Sequence, residues 1–416
     1  MKAVMYGGGN IGRGFIGPLY RDSGYEVAFI DVAETLINAL NARGEYPLRI
    51  VSRTGYEDRA VKGVSMINGN DREAVACAVA GADSMATAVG VNVLPYIAPN
   101  LAQGIRRRFA VTEKPLDIII CENLLNADAL LADMIKKYLS DGERVLFEKR
   151  IGLVEASVGR MVPIQTEEMR DGDPLRLCVE AYGWLPVDRD SFKGTIPDIK
   201  GLVPYSPFDF YIKRKLYIHN MGHAVCAYAG LYLGIEYIWA AIETPDIRLL
   251  VQNAMLESAR ALSLRYNFPL NNIMAHIEDL LYRFGNNALA DTCRRVGADP
   301  ARKLSAADRL IGAGSLCLEQ GVTPVSIAAG AAAGLYRYLA ELKRPQTEAN
   351  AARALEDVSG IKPGGELASE ILRLYELYRR GRSIADIRRE TEIMRAETYC
   401  GAVSEISAPP LSITAN

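Results

Sequence analysis

The chain has 416 residues, of which 49% are hydrophobic and 24% are charged, and its formal net charge at pH 7 is -2. This composition supports a folded core and excludes global disorder, and the lack of a basic excess argues against nucleic acid as a partner. No run approaches the roughly 18 consecutive apolar residues that a membrane span requires. The apolar run near the N-terminus is too short for a secretory signal, and seven cysteines without a C-x-x-C pair favour reduced thiols in the cytoplasm.

Short apolar runs alternate with amphipathic stretches through the first half of the chain. The sequence predicts strands at 3–6, 26–31, 84–89, 117–121 and 175–182, and helices at 12–24 and 33–41. Because strands alternate with helices, we expect a parallel sheet with crossover helices.

The second half has a different pattern, in which apolar residues recur at helical spacing. The predicted helices are 247–266, 273–284, 306–319 and 324–342. A stretch rich in Gly and Pro at 193–207 separates the two halves. We therefore predict an α/β domain at 1–195, a largely α-helical domain at 196–390, and a tail of unknown role at 391–416.

A glycine-rich segment follows the first predicted strand and opens the first predicted helix. Gly7, Gly9 and Gly12 match G-x-G-x-x-G, the pattern of a Rossmann-type dinucleotide site. The free N–H groups of the helix N-terminus would face the pyrophosphate. Asp31 ends the second predicted strand, where a carboxylate accepts hydrogen bonds from the ribose hydroxyls and repels a 2′-phosphate. The sequence thus favours NAD over NADP, although Asp31 could instead be a helix N-cap.

Polar groups are concentrated at residues 213–223. On a regular helix Lys215, His223 and Asn220 would project at about 0°, 80° and 140°, and Lys215 and His223 would be roughly 12 Å apart along the axis. A regular helix would stretch this cluster, so we expect Lys215 to lie at a helix start or at an irregularity. Two alternatives remain. In the first, Asn220 and His223 are hydrogen-bonded groups at a helix interface and Lys215 is solvated; in the second, His219 and His223 are metal ligands. The metal site is disfavoured because the segment is not H-E-x-x-H and has no obvious third ligand.

The segments GGGNIGRGFIG at 7–17, TAVG at 87–90, CENL at 121–124 and the K-x4-N-x2-H pattern at 215–223 together resemble the polyol-specific long-chain dehydrogenases, or mannitol dehydrogenase family. FKGTIPDIKG at 192–201 and ARKLSAADRLI at 301–311 extend the resemblance. It runs from residue 1 to about 380 and is strongest to the members that act on mannitol 1-phosphate.

The resemblance implies a metal-free, NAD-dependent oxidoreductase that interconverts mannitol 1-phosphate and fructose 6-phosphate. Lys215 would be the general base, Asn220 and Asn123 would hold the developing alkoxide, and His223 would position the substrate. A lysine is mostly protonated at neutral pH, so burial and nearby cations are expected to lower its pKa. The residues expected to bind the cofactor are Gly7, Gly9, Asn10, Ile11, Gly12, Asp31 and Val89.

A sugar phosphate requires cationic side chains, and the candidates within the matched stretch are Arg294, Arg295, Arg302 and Lys303. We expect a small-molecule substrate and a monomer or homodimer. The family commonly has an aspartate where this chain has Gly159, and an acidic residue where it has Gly285. These departures bear on the substrate more than on the reaction, and Glu155 is a candidate to compensate for Gly159.

Three other functions remain open from the sequence. The same chemistry could act on an unphosphorylated polyol or a hexuronate. The chain could instead be a non-catalytic NAD(H) sensor, or a zinc-dependent alcohol dehydrogenase.

Overall fold

The computed structural model describes residues 1–124 and 126–406, with side chains up to residue 398. The chain forms two compact units that divide between Ile212 and Lys213. The first unit contains all the named strands, and the second is helical. This confirms the predicted fold class, an α/β Rossmann-type domain followed by a largely helical one.

The strands of the first unit are β1 (Lys2–Tyr6), β2 (Glu26–Asp31), β3 (Glu45–Ser52), β4 (Gly55–Lys62), β5 (Val64–Asn68), β6 (Ser84–Thr87), β7 (Leu116–Ile120), β8 (Ile151–Glu155), β9 (Leu177–Glu180), β10 (Leu185–Asp188) and β11 (Leu202–Tyr205). Six of them form a parallel sheet in the order β5-β2-β1-β6-β7-β8. Counted within this sheet, the order is 3-2-1-4-5-6, the doubly wound arrangement. The order reverses between β1 and β6, so a ligand crevice is expected at their carboxyl ends.

The helices of the first unit are α1 (Gly17–Asp22), α2 (Glu34–Arg43), α3 (Arg72–Ala80), α4 (Leu94–Val111), α5 (Ala127–Lys136), α6 (Asp141–Arg150) and α7 (Glu167–Arg170). A π-helical segment, Gly12–Ile16, leads directly into α1. Successive side chains of a strand point to opposite faces of the sheet. Accordingly, Ala3 and Met5 belong to one buried cluster and Val4 and Tyr6 to the other. The sheet is thus covered on both faces, as a parallel sheet requires.

Two smaller sheets accompany the main one. The first has the order β4-β3-β9, with β3 antiparallel to β4 and parallel to β9; the second pairs β10 with β11. Strand β9 lies within the strand predicted at 175–182, but the β3–β4 hairpin was not predicted. Its turn, Arg53–Thr54, has no glycine or asparagine, and β4 is mostly exposed and polar, so the usual signals of a hairpin are missing.

The helices of the second part of the chain are α8 (Asp209–Arg214), α9 (Met221–Tyr232), α10 (Ile238–Glu243), α11 (Pro245–Tyr266), α12 (Leu270–Phe284), α13 (Cys293–Val296), α14 (Pro300–Lys303), α15 (Ile311–Glu319), α16 (Val325–Glu341), α17 (Glu348–Ser359), α18 (Glu366–Arg379) and α19 (Ile384–Ile406). The helix predicted at 306–319 begins only at Ile311. Residues 304–310 form turns, and the Asp308 side chain accepts a hydrogen bond from the Arg309 N–H. Such local bonding competes with helix formation.

The segment predicted as a tail is largely part of α19. Arg388 pairs with Asp246 at 2.9 Å, and Arg395 pairs with the buried Glu257 at 2.8 Å, so α19 is held against α11. Only residues 407–416 of the predicted tail lie outside the described residues. Among the described residues, no helix has the length and apolar character of a membrane span.

Candidate functional site

The glycine-rich turn connects β1 to the first helix of the Rossmann-type unit. Gly7 has φ +106°, and a Cβ there would overlap the Ala88 carbonyl. A Cβ at Gly12 would overlap the Gly7 carbonyl, so the turn and the helix pack too closely for a side chain. At Gly9, by contrast, a Cβ would meet no atom within 4 Å. The turn therefore leaves open space beside Gly9, where the sequence predicts the pyrophosphate.

The other two predicted residues of this motif follow Gly9 into the helix. Asn10 is exposed at the first helical position, beside the free N–H groups. Ile11 is partly buried and packs against the core cluster, so its contribution is to anchor the turn.

Asp31 stands at the carboxyl end of β2. Its Oδ2 accepts a hydrogen bond from the Gly8 N–H at 2.8 Å, and its Oδ1 accepts from Val32 and Ala33 at 2.8 and 3.1 Å. These donors precede α2, which begins at Glu34, so Asp31 is not its N-cap. The carboxylate is instead fixed against the glycine-rich turn.

Gly7, Gly9, Asp31 and Val89 line a cavity of about 520 Å³ at the carboxyl ends of β1, β2 and β6. This is the point at which the strand order reverses. Its wall also includes residues that were not predicted: Tyr6, Asn70, Arg72, Tyr96 and Asn100. The cavity, the open space at Gly9 and the fixed carboxylate fit the phosphates and ribose of a dinucleotide.

Two buried charged residues, neither of them predicted, support this cavity. Glu122 accepts hydrogen bonds from the N–H groups of Val89 and Gly90 at 2.9 and 2.8 Å. The Arg13 side chain donates to the carbonyls of Gly8 and Leu175 at 2.6 and 2.8 Å. The CENL segment predicts a role for the amide of Asn123 alone, and the structure adds the carboxylate of Glu122 beside it.

Asn123 lies after β7 in the first unit, at the carboxyl edge of the sheet, and is exposed. The other three predicted catalytic residues lie in the helical unit. Lys215 and Asn220 are the first and last residues of a π-helical segment, Lys215–Asn220, which continues into α9. Both side chains are partly buried. Because hydrogen bonds of a π-helix span five residues, these two positions are one turn apart. This is the irregularity that the spacing predicted.

Buried neighbours anchor the π-helical segment. Tyr217, Ile218 and His219 are buried, and the Tyr217 hydroxyl donates to the Ala307 carbonyl at 3.4 Å. Burial is the largest cause that lowers the pKa of His219 well below its usual value, followed by the nearby Arg283. His219 is therefore a neutral imidazole.

His223 is the third residue of α9 and lies in its first turn. Its ring stacks on Phe284, with centroids 4.7 Å apart and planes 18° apart. Its Nε2 lies 3.4 Å from Oδ2 of Asp291. Burial opposes ionisation of Asp291, but the interactions with His223 and Arg295 outweigh it and lower the pKa of Asp291 to about 2. The imidazole is thus placed between an aromatic ring and a carboxylate.

The four predicted phosphate ligands have different surroundings. Arg295 is bound to both oxygens of Asp291, and Arg302 pairs with Asp299 at 2.7 Å and Asp308 at 3.3 Å. Lys303 is buried and donates to the Ala298 carbonyl; burial, with Arg309 and Arg302, lowers the pKa of Lys303 to about 8. Arg294 is exposed, and no acidic group pairs with it among the described side chains.

The departures from the family pattern have local explanations. A Cβ at Gly159 would lie 2.9 Å from the Tyr182 ring, so that ring occupies the space of the missing side chain. Glu155 accepts a hydrogen bond from the Ala127 N–H at the start of α5. This hydrogen bond places the Glu155 carboxylate at the N-terminus of α5. Gly285 ends α12.

The metal alternative rests on His219 and His223, whose ring centroids are 6.2 Å apart. Within the described part of the chain, no group of three or more His, Cys, Asp or Glu side chains is arranged to hold a metal ion.

Comparison with known proteins adds independent findings. Residues 1–201 match the mannitol dehydrogenase Rossmann domain, and residues 208–359 match the mannitol dehydrogenase C-terminal domain. Mannitol-1-phosphate 5-dehydrogenase of Brevibacillus brevis is 38% identical over 379 residues, which cover 90% of this chain and 97% of that protein.

Two solved structures have the same fold. Substrate-free D-sorbitol dehydrogenase superposes with a TM-score of 0.76 at 15% identity, covering 93% of this chain and 94% of the other. Pseudomonas fluorescens mannitol 2-dehydrogenase, in complex with NAD and D-mannitol, superposes with a TM-score of 0.69 at 14% identity, covering 94% of each chain. With both domains matched in order and a full-length relative at 38% identity, the chain belongs to the mannitol dehydrogenase family of NAD-dependent polyol oxidoreductases.

Proposed function

We propose that the chain interconverts mannitol 1-phosphate and fructose 6-phosphate with NAD, by a metal-free mechanism in which Lys215 is the general base. The observation that supports this substrate is the similarity to the mannitol-1-phosphate 5-dehydrogenase of Brevibacillus brevis, which extends over nearly the whole length of both chains. The chemistry is supported by the π-helical segment, which puts Lys215 and Asn220 one turn apart beside His223.

The residues around the glycine-rich turn would hold the cofactor. The helix that follows Gly9 would offer N–H groups to the pyrophosphate, and Asp31, held by the Gly8 N–H, would accept hydrogen bonds from the adenosine ribose. When bound, the oxidised nicotinamide supplies the acceptor for a hydride.

Each group in the helical unit then has a task in the oxidation. Lys215, as the neutral amine, takes the proton from the substrate hydroxyl. The hydrogen on the carbinol carbon leaves as hydride, with the electron pair of its C–H bond, and the C–O bond becomes a carbonyl. The amide of Asn220 donates a hydrogen bond to the oxygen as its negative charge develops, and the family resemblance implies the same role for the amide of Asn123 from the first unit. His223 orients the same oxygen. In the reverse direction, protonated Lys215 returns the proton.

The phosphate is assigned to the basic groups that follow α12. Arg294 presents an exposed guanidinium, and Arg302 and Lys303 lie at the end of α14. Arg295 is engaged by Asp291, which leaves Arg294 as the more available of the two adjacent arginines.

Steady-state kinetics test the substrate. We expect kcat/KM for mannitol 1-phosphate to exceed that for mannitol and for hexuronates by several orders of magnitude. The R294A variant should lose much of this preference while its activity on mannitol is retained. If the phosphate ester brings no advantage, the substrate is instead a free polyol or a hexuronate, according to which is turned over.

The K215A variant tests the chemistry. We expect turnover to fall by about 10² to 10⁴, the usual contribution of a general base, with unchanged affinity for NADH measured by fluorescence. K362A, which removes an exposed lysine of the same unit, is the matched control. If K215A turns over like the control, Lys215 is not the base. If no substrate is turned over by the wild type although NADH binds, the chain is a nucleotide sensor.

A further inference from the structure

Asp291 lies beside His223 in the helical unit, although 67 residues separate the two along the chain. The Nε2 atom of His223 is buried, and no described group meets hydrogen-bond geometry with it. Asp291 Oδ2, at 3.4 Å, is within ion-pair distance of this atom. Catalytic hydrogen bonds are often long or poorly aligned without substrate and tighten when it binds. A small rotation of the ring would therefore let the Nε2–H group of His223 donate a hydrogen bond to this carboxylate.

Asp291 is itself rigidly placed. Its two oxygens accept hydrogen bonds from Nε and the terminal nitrogen of Arg295 at 2.7 and 2.6 Å. Its carbonyl accepts from the Ile238 N–H at 2.9 Å, and the Cys293 N–H donates to the Glu236 carbonyl at 2.7 Å. The carboxylate is thus fixed by a bidentate arginine and by backbone bonds on either side.

The ring of His223 is restrained in two directions. Phe284 covers one face by stacking at 4.7 Å, and Asp291 stands at the Nε2 edge. The side chains of His223 and Asp291 are only 13% and 11% exposed, so water competes little for their contact. The Phe284 ring and the Asp291 carboxylate therefore both restrain the His223 imidazole.

We infer that Asp291 is a positioning residue for His223: it holds the imidazole in the Nε2–H tautomer and in one orientation, and leaves Nδ1 for the substrate oxygen. A carboxylate behind a histidine fixes tautomer and orientation in this way in other enzymes. Arg295 supports the arrangement by holding Asp291 in place. The inference rests on the proposed function, in which His223 orients the substrate.

The tautomer can be measured directly because the chain has only three histidines. In protein labelled with ¹⁵N-histidine, we expect the NMR signals of His223 to show a protonated Nε2 in the wild type. In D291N, which removes the charge but keeps the shape, these signals should shift. His219 and His276 are internal references, and D246N, which loses a carboxylate paired with Arg388, is the matched control. A wild-type His223 without a proton on Nε2 would overturn the inference even if no variant folded.

Kinetics complete the test. We expect kcat/KM of D291N to fall by about 100-fold, the cost of misplacing a catalytic group, with unchanged NADH affinity and partial recovery in D291E. R295M should show a smaller change of the same kind. If D291N loses activity while the His223 signals stay as in the wild type, Asp291 has only a structural role. Should K215A fail to reduce turnover, the proposed mechanism is wrong, but the tautomer measurement is unaffected.

Discussion

Glu122 holds the turn after β6 by accepting a hydrogen bond from the Val89 N–H at 2.9 Å, and a second from the Gly90 N–H at 2.8 Å. Val89 lines the cavity at the carboxyl ends of β1, β2 and β6, which is the proposed cofactor site, so this buried carboxylate shapes the cavity without lining it. Hydrogen bonds to a charged acceptor contribute about 1.5–3 kcal/mol each.

We therefore expect E122Q, in which an amide can accept only one of the two bonds, to weaken NADH binding by about tenfold, as about 1.4 kcal/mol would. Fluorescence titration with NADH checks this. E57Q, at an exposed glutamate of β4, is the control. If both variants bind like the wild type, the Val89 turn keeps its shape without Glu122.

Asp31 is expected to set the preference for NAD. In D31S the repulsion of a 2′-phosphate is lost, and Arg72, which lines the same cavity, is available to pair with that phosphate. We expect the ratio of kcat/KM for NAD to that for NADP to fall by about 100-fold, since two charge effects of about 1.4 kcal/mol each act together. D133S, at an exposed aspartate of α5, should keep the wild-type ratio. A ratio that stays the same in D31S would assign the selectivity to other residues.

Gly9 and Gly12 should respond differently to alanine. A methyl group at Gly12 would overlap the Gly7 carbonyl, and overpacking of this kind costs about 1–3 kcal/mol, so thermal unfolding of G12A should move to lower temperature. G9A meets no atom and should unfold like the wild type, yet bind NADH more weakly because the methyl group enters the phosphate space. A G9A variant with normal NADH affinity would mean that the pyrophosphate does not approach Gly9.

The partly buried carboxyl group of Glu370 is expected to make the stability of the fold depend on pH. Burial, together with Glu366 and Glu257, raises the pKa of Glu370 from 4.5 to about 7. At Glu370 the folded state thus binds a proton more tightly than the unfolded state does. The contribution of Glu370 to the free energy of unfolding is therefore complete below pH 4.5 and is lost as the pH rises through 7.

The E370Q variant, which stays neutral, should be more stable than the wild type at pH 8 by roughly 1–3 kcal/mol and no more stable at pH 4.5. Urea unfolding at the two pH values measures the difference. An equal effect of E370Q at both pH values would show that Glu370 does not titrate in this range.

The parts of the fold that could be predicted depend on residues close together in sequence. The glycine turn, Asp31 and the Lys215–His223 spacing are local patterns. They predict, in turn, a close approach to phosphate, a hydrogen-bond acceptor for ribose and an irregular helix. The Glu122–Val89 and Asp291–His223 contacts join residues 33 and 68 positions apart, and no short pattern encodes such pairs. The β3–β4 hairpin was missed because its exposed strand carries no alternation of apolar and polar residues.

The π-helical segment at Lys215–Asn220 has a consequence for engineering. A π turn accommodates one more residue than an α turn, so removing a single residue here would let the backbone relax into an uninterrupted α-helix. Deleting Leu216 should give a folded protein in which Lys215, the proposed base, is rotated by about 100° from the groups that follow it. We expect such a protein to keep its thermal stability and its affinity for NADH but to lose turnover, because the amine of Lys215 would no longer align with Asn220 and His223.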